Sequence, residues 1–126
     1  MTLTEFLLAR IAEDEALARA AYDHDSWSVV EDGNGDPWVV QTDVTGQEWR
    51  VAMVPRVPAE HIAQWDPARV LAECEAKRQI VALHSAEPGQ HPDFCGHDLR
   101  ELPCPTLRAL ALPYIDSTDY QPEWKP

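Results

Sequence analysis

Five side chains that could bind a metal ion lie within one segment that otherwise has few apolar residues. Zinc in structural sites takes four tetrahedral ligands drawn from cysteine thiolates and histidine nitrogens. Two cysteines and three histidines are available in this segment: His84, His91, Cys95, His97 and Cys104. We predict a zinc site formed by His84, Cys95, His97 and Cys104, with His91 as the substitute for either histidine.

The spacing of these residues leaves a second interpretation open. Zinc fingers usually carry Cys-x-x-Cys or His-x₃-His pairs, and this segment has neither. The alternative is that both cysteines are free thiols and that the histidines lie on the surface of a loop. If zinc binds, a structural role is favoured, because a catalytic site needs an open coordination position and a nearby base. Glu87, Asp93 or Asp98 could be that base.

The remaining cysteine and the start of the chain indicate a reducing compartment. Cys74 lies on the apolar face of a predicted helix, which favours a buried core residue over a nucleophile. An odd number of cysteines at irregular spacing is not a disulfide framework. Glu5 and Arg10 interrupt the apolar residues that a signal peptide would need. We therefore expect a cytoplasmic protein whose thiols are free or metal-bound.

Two long helices and two short ones are expected to position the candidate ligands. Residues 3–22 have apolar residues at helical spacing, and Thr2 and Glu5 have the spacing of a capping box. Asp66 followed by Pro67 predicts the start of a helix over 67–83. This helix would present His84 at its end. Shorter helices are predicted over 58–65 and over 106–112, the second directly after Cys104.

The middle of the chain changes to the alternating period of strands. Strands are predicted over 27–31, 38–42 and 48–54, and a hairpin turn over 32–36 is favoured over a calcium loop. One tryptophan falls in each strand, at intervals of 11 residues: Trp27, Trp38 and Trp49. Packing on a shared core face is the expected role of these rings, and an exposed aromatic binding face is the alternative.

These elements predict an α+β fold in a single domain, 1–126. A three-stranded antiparallel meander would be covered on one face by the N-terminal helix, the long central helix and the short C-terminal helix. Residues 85–105 hold four of the eleven prolines and are expected to form a long irregular loop. The tail, about 115–126, is expected to be extended.

The charge of the chain excludes two classes of partner. The formal net charge is −12, and residues 1–50 alone hold 11 acidic and 3 basic residues. Phosphate backbones and anionic lipids are bound mainly by lysine and arginine, so direct nucleic-acid or membrane binding is not expected. No segment approaches the roughly 18 apolar residues of a membrane span.

Four stretches of the chain carry a family resemblance. They are MTLTEFLLARIAEDE at 1–15, HIA with DPARVLAECEAKR between 61 and 78, CPTLRALALPY at 104–114 and DYQPEWKP at 119–126. Together they resemble an uncharacterised family of small proteins from actinobacteria and their phages. The resemblance implies a family and a host lineage, and it implies no activity.

The function most consistent with these observations is that of a small acidic cytoplasmic binding or adaptor protein, stabilised by a structural zinc. Its partner would be another protein, and catalysis is not favoured. Two alternatives remain open. An acidic protein of phage-related origin could inhibit an enzyme by occupying its nucleic-acid-binding surface. The Cys/His loop could instead belong to a metal-dependent hydrolase.

Overall fold

The computed structural model describes residues 1–21, 26–86 and 89–126. It confirms the α+β prediction: in chain order, an N-terminal helix is followed by a three-stranded antiparallel sheet and then by the later helices. The end of the first predicted helix at residue 22 and the candidate base Glu87 lie outside the described residues. The bounds are α1 Leu3–Ala21, β1 Ser26–Glu31, β2 Pro37–Thr42, β3 Glu48–Met53, α2 Arg56–Gln64, α3 Pro67–His84 and α4 Pro105–Ala111, followed by 3₁₀ turns at Leu112–Tyr114 and Pro122–Trp124.

Both long helices begin at the caps that the sequence predicts. The Thr2 N–H donates to Glu5 Oε2 at 2.7 Å, and the Glu5 N–H donates to Thr2 Oγ1 at 3.2 Å. Asp66 Oδ1 accepts from the Arg69 N–H at 2.9 Å at the start of α3. Each cap satisfies backbone donors that have no partner within the helix. These short-range bonds fix where the two helices start.

The two hairpins of the sheet use the same turn. Asp32 and Asp43 each accept, through Oδ1, from backbone N–H groups two and four residues later, at 2.8 to 3.0 Å. Gly35 and Gly46 follow at φ +80° and +85°, which is the left-handed position of a type I turn with a bulge. The hairpin prediction for residues 32–36 is therefore confirmed, and the second turn repeats it.

Spatial contacts divide the chain into two compact units. The terminal unit comprises Met1–Asp14 and Cys74–Pro126, and the central unit comprises Glu15–Glu73. In the central unit, α2 packs on β1 and β2, with Ala59 fully buried. A salt bridge from Arg56 to Glu31 joins α2 to the end of β1. The sequence predicts that other helices cover the sheet and predicts no such role for α2.

The three strand tryptophans do not share a face of the sheet. Trp27 pairs with Gln41 and Gln41 pairs with Trp49, so these two rings lie on one face. Trp38 lies three positions from Gln41 in the same strand and therefore points to the opposite face. The prediction of one shared face is wrong. Each turn joins residues four positions apart, so residues on the same face of a hairpin are an even number of positions apart. Trp38 is 11 positions from both Trp27 and Trp49, which is an odd number, and it therefore lies on the other face. Trp49 is 60% exposed.

The core of the terminal unit is built around Phe6. Its ring contacts those of Tyr114, Tyr120 and Trp124, with centroids 6.4, 5.9 and 5.0 Å away. Trp124 is 4% exposed, so the end of the chain is not the extended tail that the sequence analysis predicted. The apolar ring area of the tail explains the difference, since burying it in the core offsets the cost of ordering the segment. Cys74 is 1% exposed, which confirms its burial.

Alanine at Gly35 or Gly46 should lower the free energy of unfolding by about 1 kcal/mol, because an L side chain at positive φ is strained. Gly33→Ala is the matched control: Gly33 lies in the first turn without a positive φ, and all three glycines have open space around a new Cβ. Urea denaturation of the three variants measures the effect. An equal loss for Gly33→Ala would contradict the explanation from φ.

Trp124→Ala should lower the free energy of unfolding by about 3–5 kcal/mol, as expected for removal of a buried indole. Trp65→Ala serves as the control, since Trp65 is 42% exposed and stacks under the Arg69 guanidinium. Its loss should cost about 1 kcal/mol. Equal midpoints in urea for the two variants would show that the tail does not contribute to the core.

Candidate metal centre

Four side chains from three segments of the terminal unit converge at one point. His84 is the last residue of α3, Cys95 and Asp98 lie in the loop that follows, and Cys104 precedes α4. Their ligand atoms all lie within 4.8 Å of one another. The Cys95 and Cys104 sulfurs are 3.4 and 3.5 Å from His84 Nδ1. These residues therefore lie close enough together to bind a metal ion.

Two distances within the cluster match those of a tetrahedral zinc site. Zinc binds sulfur at about 2.3 Å and imidazole nitrogen at about 2.0–2.1 Å, so tetrahedral geometry separates S and N by about 3.5 Å. The two S···N distances have that value. Each also fits a hydrogen bond between a thiol and the imidazole. The His84 nitrogen and the two sulfurs therefore have the separations that a shared zinc ion requires.

The loop that carries Cys95 and Asp98 forms a small hairpin. The Cys95 N–H donates to the Arg100 carbonyl at 2.8 Å, and the Leu102 N–H donates to the Asp93 carbonyl at 2.8 Å. At the tip, Leu99 adopts φ +57° and its N–H bonds the Cys95 carbonyl at 3.1 Å. Positive φ is uncommon for a leucine and reflects the tightness of this turn. The expected irregular loop therefore contains local order where the ligands lie.

Backbone N–H groups of the hairpin point at the Cys95 sulfur. Burial is the largest influence and raises the pKa of the Cys95 thiol, while the N–H groups of His97 and Asp98 act in the opposite direction. Donors aimed at a sulfur stabilise its thiolate form. Cys95 is fully buried, so a thiolate at this position also needs a nearby cation. A bound metal ion would supply that charge.

Asp98 places a carboxylate oxygen within 4.8 Å of the other three candidate ligand atoms. The hydrogen bond from the Cys95 thiol is the largest cause that lowers the pKa of Asp98, followed by the Arg100 N–H at 3.1 Å. The nearby His84 and Arg100 side chains act in the same direction. The carboxylate is therefore ionised at neutral pH and ready to bind a cation.

Backbone and side-chain bonds fix the other two ligands. The Gly96 N–H donates to the Ser85 carbonyl at 3.1 Å, which ties the hairpin to the end of α3 beside His84. Cys104 is the N-cap residue of α4, in extended conformation, and a cis peptide bond joins Leu102 and Pro103 just before it. Arg108 Nε donates to the Pro103 carbonyl at 2.9 Å. These bonds hold Cys104 facing the hairpin.

The structure brings together three of the four predicted ligands, namely His84, Cys95 and Cys104. His97 lies beside the cluster with its ring centroid 4.8 Å from that of His84. His91 is exposed, with Nδ1 3.5 Å from an Asp93 carboxylate oxygen. The choice of His97 as a ligand stays a prediction that metal binding must test.

Asp98 is the member of the cluster that the sequence prediction does not place among the candidate ligands. From the sequence alone, Asp98 is expected only as a candidate base. A signal for it exists, because Cys95 and Asp98 have the spacing of a Cys-x-x-Cys pair with a carboxylate in place of the second thiol. Two thiolates, one imidazole and one carboxylate are all ligands that zinc accepts.

Comparison with known proteins gives a family and no activity. No curated protein and no solved structure matches the chain. Among the described residues, no helix is long and apolar enough to cross a membrane. The model of one protein family, described as "Family of unknown function (DUF6221)", matches residues 1–126. Because this match covers the whole sequence, the chain belongs to DUF6221, a family of unknown function.

Proposed function

We propose that the cluster of His84, Cys95, Asp98 and Cys104 holds a structural zinc ion. The observation that carries this proposal is the pair of S···N distances, 3.4 and 3.5 Å, between two buried cysteines and one imidazole. Four protein ligands leave no open coordination position, which is the property of structural sites. Bound zinc would join the end of α3, the hairpin and the start of α4.

The protein built around this site acts, in our proposal, as a small acidic binding or adaptor protein without catalysis of its own. Its net charge of −12 favours a basic protein surface as partner over nucleic acid or anionic lipid. All three cysteines are free thiols, which suits a reducing cytoplasm. The actinobacterial or actinophage lineage that the resemblance implies belongs to the same proposal.

Protein purified without chelator should contain one zinc ion per chain, measured by elemental analysis. A chelator should lower the melting temperature, because an ion that binds only the folded state stabilises it by about 2.7 kcal/mol at a hundredfold excess over Kd. For a domain of this size such a change corresponds to roughly 10 °C. Cys104→Ser should abolish the sensitivity to chelator.

Cys74→Ser is the matched control for Cys104→Ser. Cys74 is equally buried in the same unit and lies outside the cluster, so this variant loses stability but should keep its zinc and its sensitivity to chelator. Wild-type protein that contains no zinc, and melts identically with and without chelator, would contradict the proposal. Comparing His97→Ala with Asp98→Ala then decides which of the two residues is a ligand.

A metal-dependent hydrolase is the second candidate, and the position of Asp98 is the observation that favours it. If His84, Cys95 and Cys104 alone bind zinc, the fourth position holds water and Asp98 lies beside it as a general base. A cavity of about 420 Å³ is lined by Ser85 and Pro103, the chain neighbours of two ligands.

Asp98→Asn separates the two functions. For a structural site we expect weaker zinc binding, measured by competition with a chromogenic chelator, and no zinc-dependent hydrolysis of an activated ester by the wild type. Zinc-dependent hydrolysis by the wild type, lost in an Asp98→Asn variant that keeps its zinc, would instead establish the hydrolase.

A further inference from the structure

We propose that the free edge of β3 pairs with β3 of a second copy of this chain. The two antiparallel strands would join two three-stranded sheets into one six-stranded sheet, with a two-fold axis at Trp49. This inference does not depend on the metal site, because it concerns residues of the central unit only.

The outer strand β3 is exposed along nearly its whole length. The strand order β1-β2-β3 leaves β3 at one edge of the sheet, and five of its six residues are exposed. Trp49, Val51 and Met53 are 60%, 42% and 58% exposed. Exposed edge strands with large apolar side chains pair readily with further strands.

The second hairpin shows which backbone groups of β3 face outward. The Asp43 N–H donates to the Gln47 carbonyl at 3.0 Å, so this pair is hydrogen-bonded. Hydrogen-bonded and non-hydrogen-bonded pairs alternate along an antiparallel ladder. The pairs in register are Thr42 with Glu48, Gln41 with Trp49, and Val40 with Arg50. The backbone N–H and C=O groups of Trp49 therefore bond to β2, and those of Glu48 and Arg50 point to the free edge.

Self-pairing centred on Trp49 matches both the backbone groups and the charges. Glu48 of one copy then lies opposite Arg50 of the other, twice, and each such pair exchanges two backbone hydrogen bonds. Opposite charges directly across a ladder are stabilising, and like charges are destabilising. A centre on Glu48 or on Arg50 would place that residue opposite its own copy. The charges therefore select the register centred on Trp49.

The side chains on each face are compatible with this register. The two Trp49 rings would meet at a non-hydrogen-bonded pair, where side chains lie closest, and extend the row formed by Trp27 and Gln41. On the other face the Arg50 guanidinium lies 4.2 Å from the centroid of the Trp38 ring. Stacking occupies the face of the guanidinium and leaves its N–H edge for a carboxylate. Arg50 helps to lower the pKa of the nearby Asp32 carboxyl. Within one chain, Asp32 therefore competes with Glu48 of the second copy for the Arg50 guanidinium.

Charge reversal tests the proposal by sedimentation equilibrium at physiological ionic strength, which screens the repulsion between two acidic chains. The wild type should form a dimer. Glu48→Arg and Arg50→Glu should each weaken the dimer by about tenfold or more, because two opposite-charge pairs become like-charge pairs. The double variant should restore it, since it contains the same pairs with the signs exchanged.

Hydrogen exchange of the wild type provides a measurement that does not depend on a variant folding. As the protein concentration rises, the Glu48 and Arg50 amides should become protected, whereas the Trp49 amide, bonded within the sheet, should not change. Val44, 86% exposed in the adjacent turn, is the internal control.

Three results would overturn the proposal. The first is a wild type that stays monomeric at millimolar concentration, which would leave the edge for a strand of a different protein. The second is a dimer that neither single charge reversal weakens. The third is a double variant that is folded by circular dichroism and still monomeric.

Discussion

The burial of Cys95 and Cys104 against one imidazole determines how the chain is arranged after α3. Both sulfurs are fully buried, and both approach the same His84 nitrogen. A residue at the end of a helix, one in a hairpin and one at the start of the next helix can meet only if the intervening segments turn tightly. The cis bond before Pro103 and the left-handed Leu99 both lie in those turns. A proline-rich segment with little apolar surface thus takes a defined path.

Several lysine and arginine side chains of this acidic chain pack against aromatic rings. Within the described part of the chain, four of these side chains lie over aromatic rings: Arg10 over Phe6, Arg50 over Trp38, Arg69 over Trp65 and Lys77 over Tyr114. In each pair the cationic group itself lies 4.1–5.5 Å from the ring centroid, so it makes a cation–π contact with the ring. Replacement of these residues would remove packing as well as charge.

Features set by neighbouring residues could be predicted from the sequence, and features set by distant ones could not. The caps at Thr2 and Asp66, the turn at Asp32 and the strand positions depend on contacts within a few residues. The packing of α2 and the burial of Trp124 depend on partners far along the chain. The candidate metal-binding cluster is intermediate. The grouping of cysteine and histidine indicates where it lies, but only the fold of the hairpin brings Asp98 together with His84, Cys95 and Cys104.

The division of the chain into units has a consequence for the order of folding. The central unit is continuous, and its hairpins join residues close in sequence, so its contacts close short loops and form early. The terminal unit is interrupted by the central one, and its contact between Phe6 and Trp124 spans almost the whole chain. During synthesis the aromatic core around Phe6 cannot close before Tyr114, Tyr120 and Trp124 have been made. The sheet of the central unit can therefore form on the ribosome while the core of the terminal unit is still incomplete.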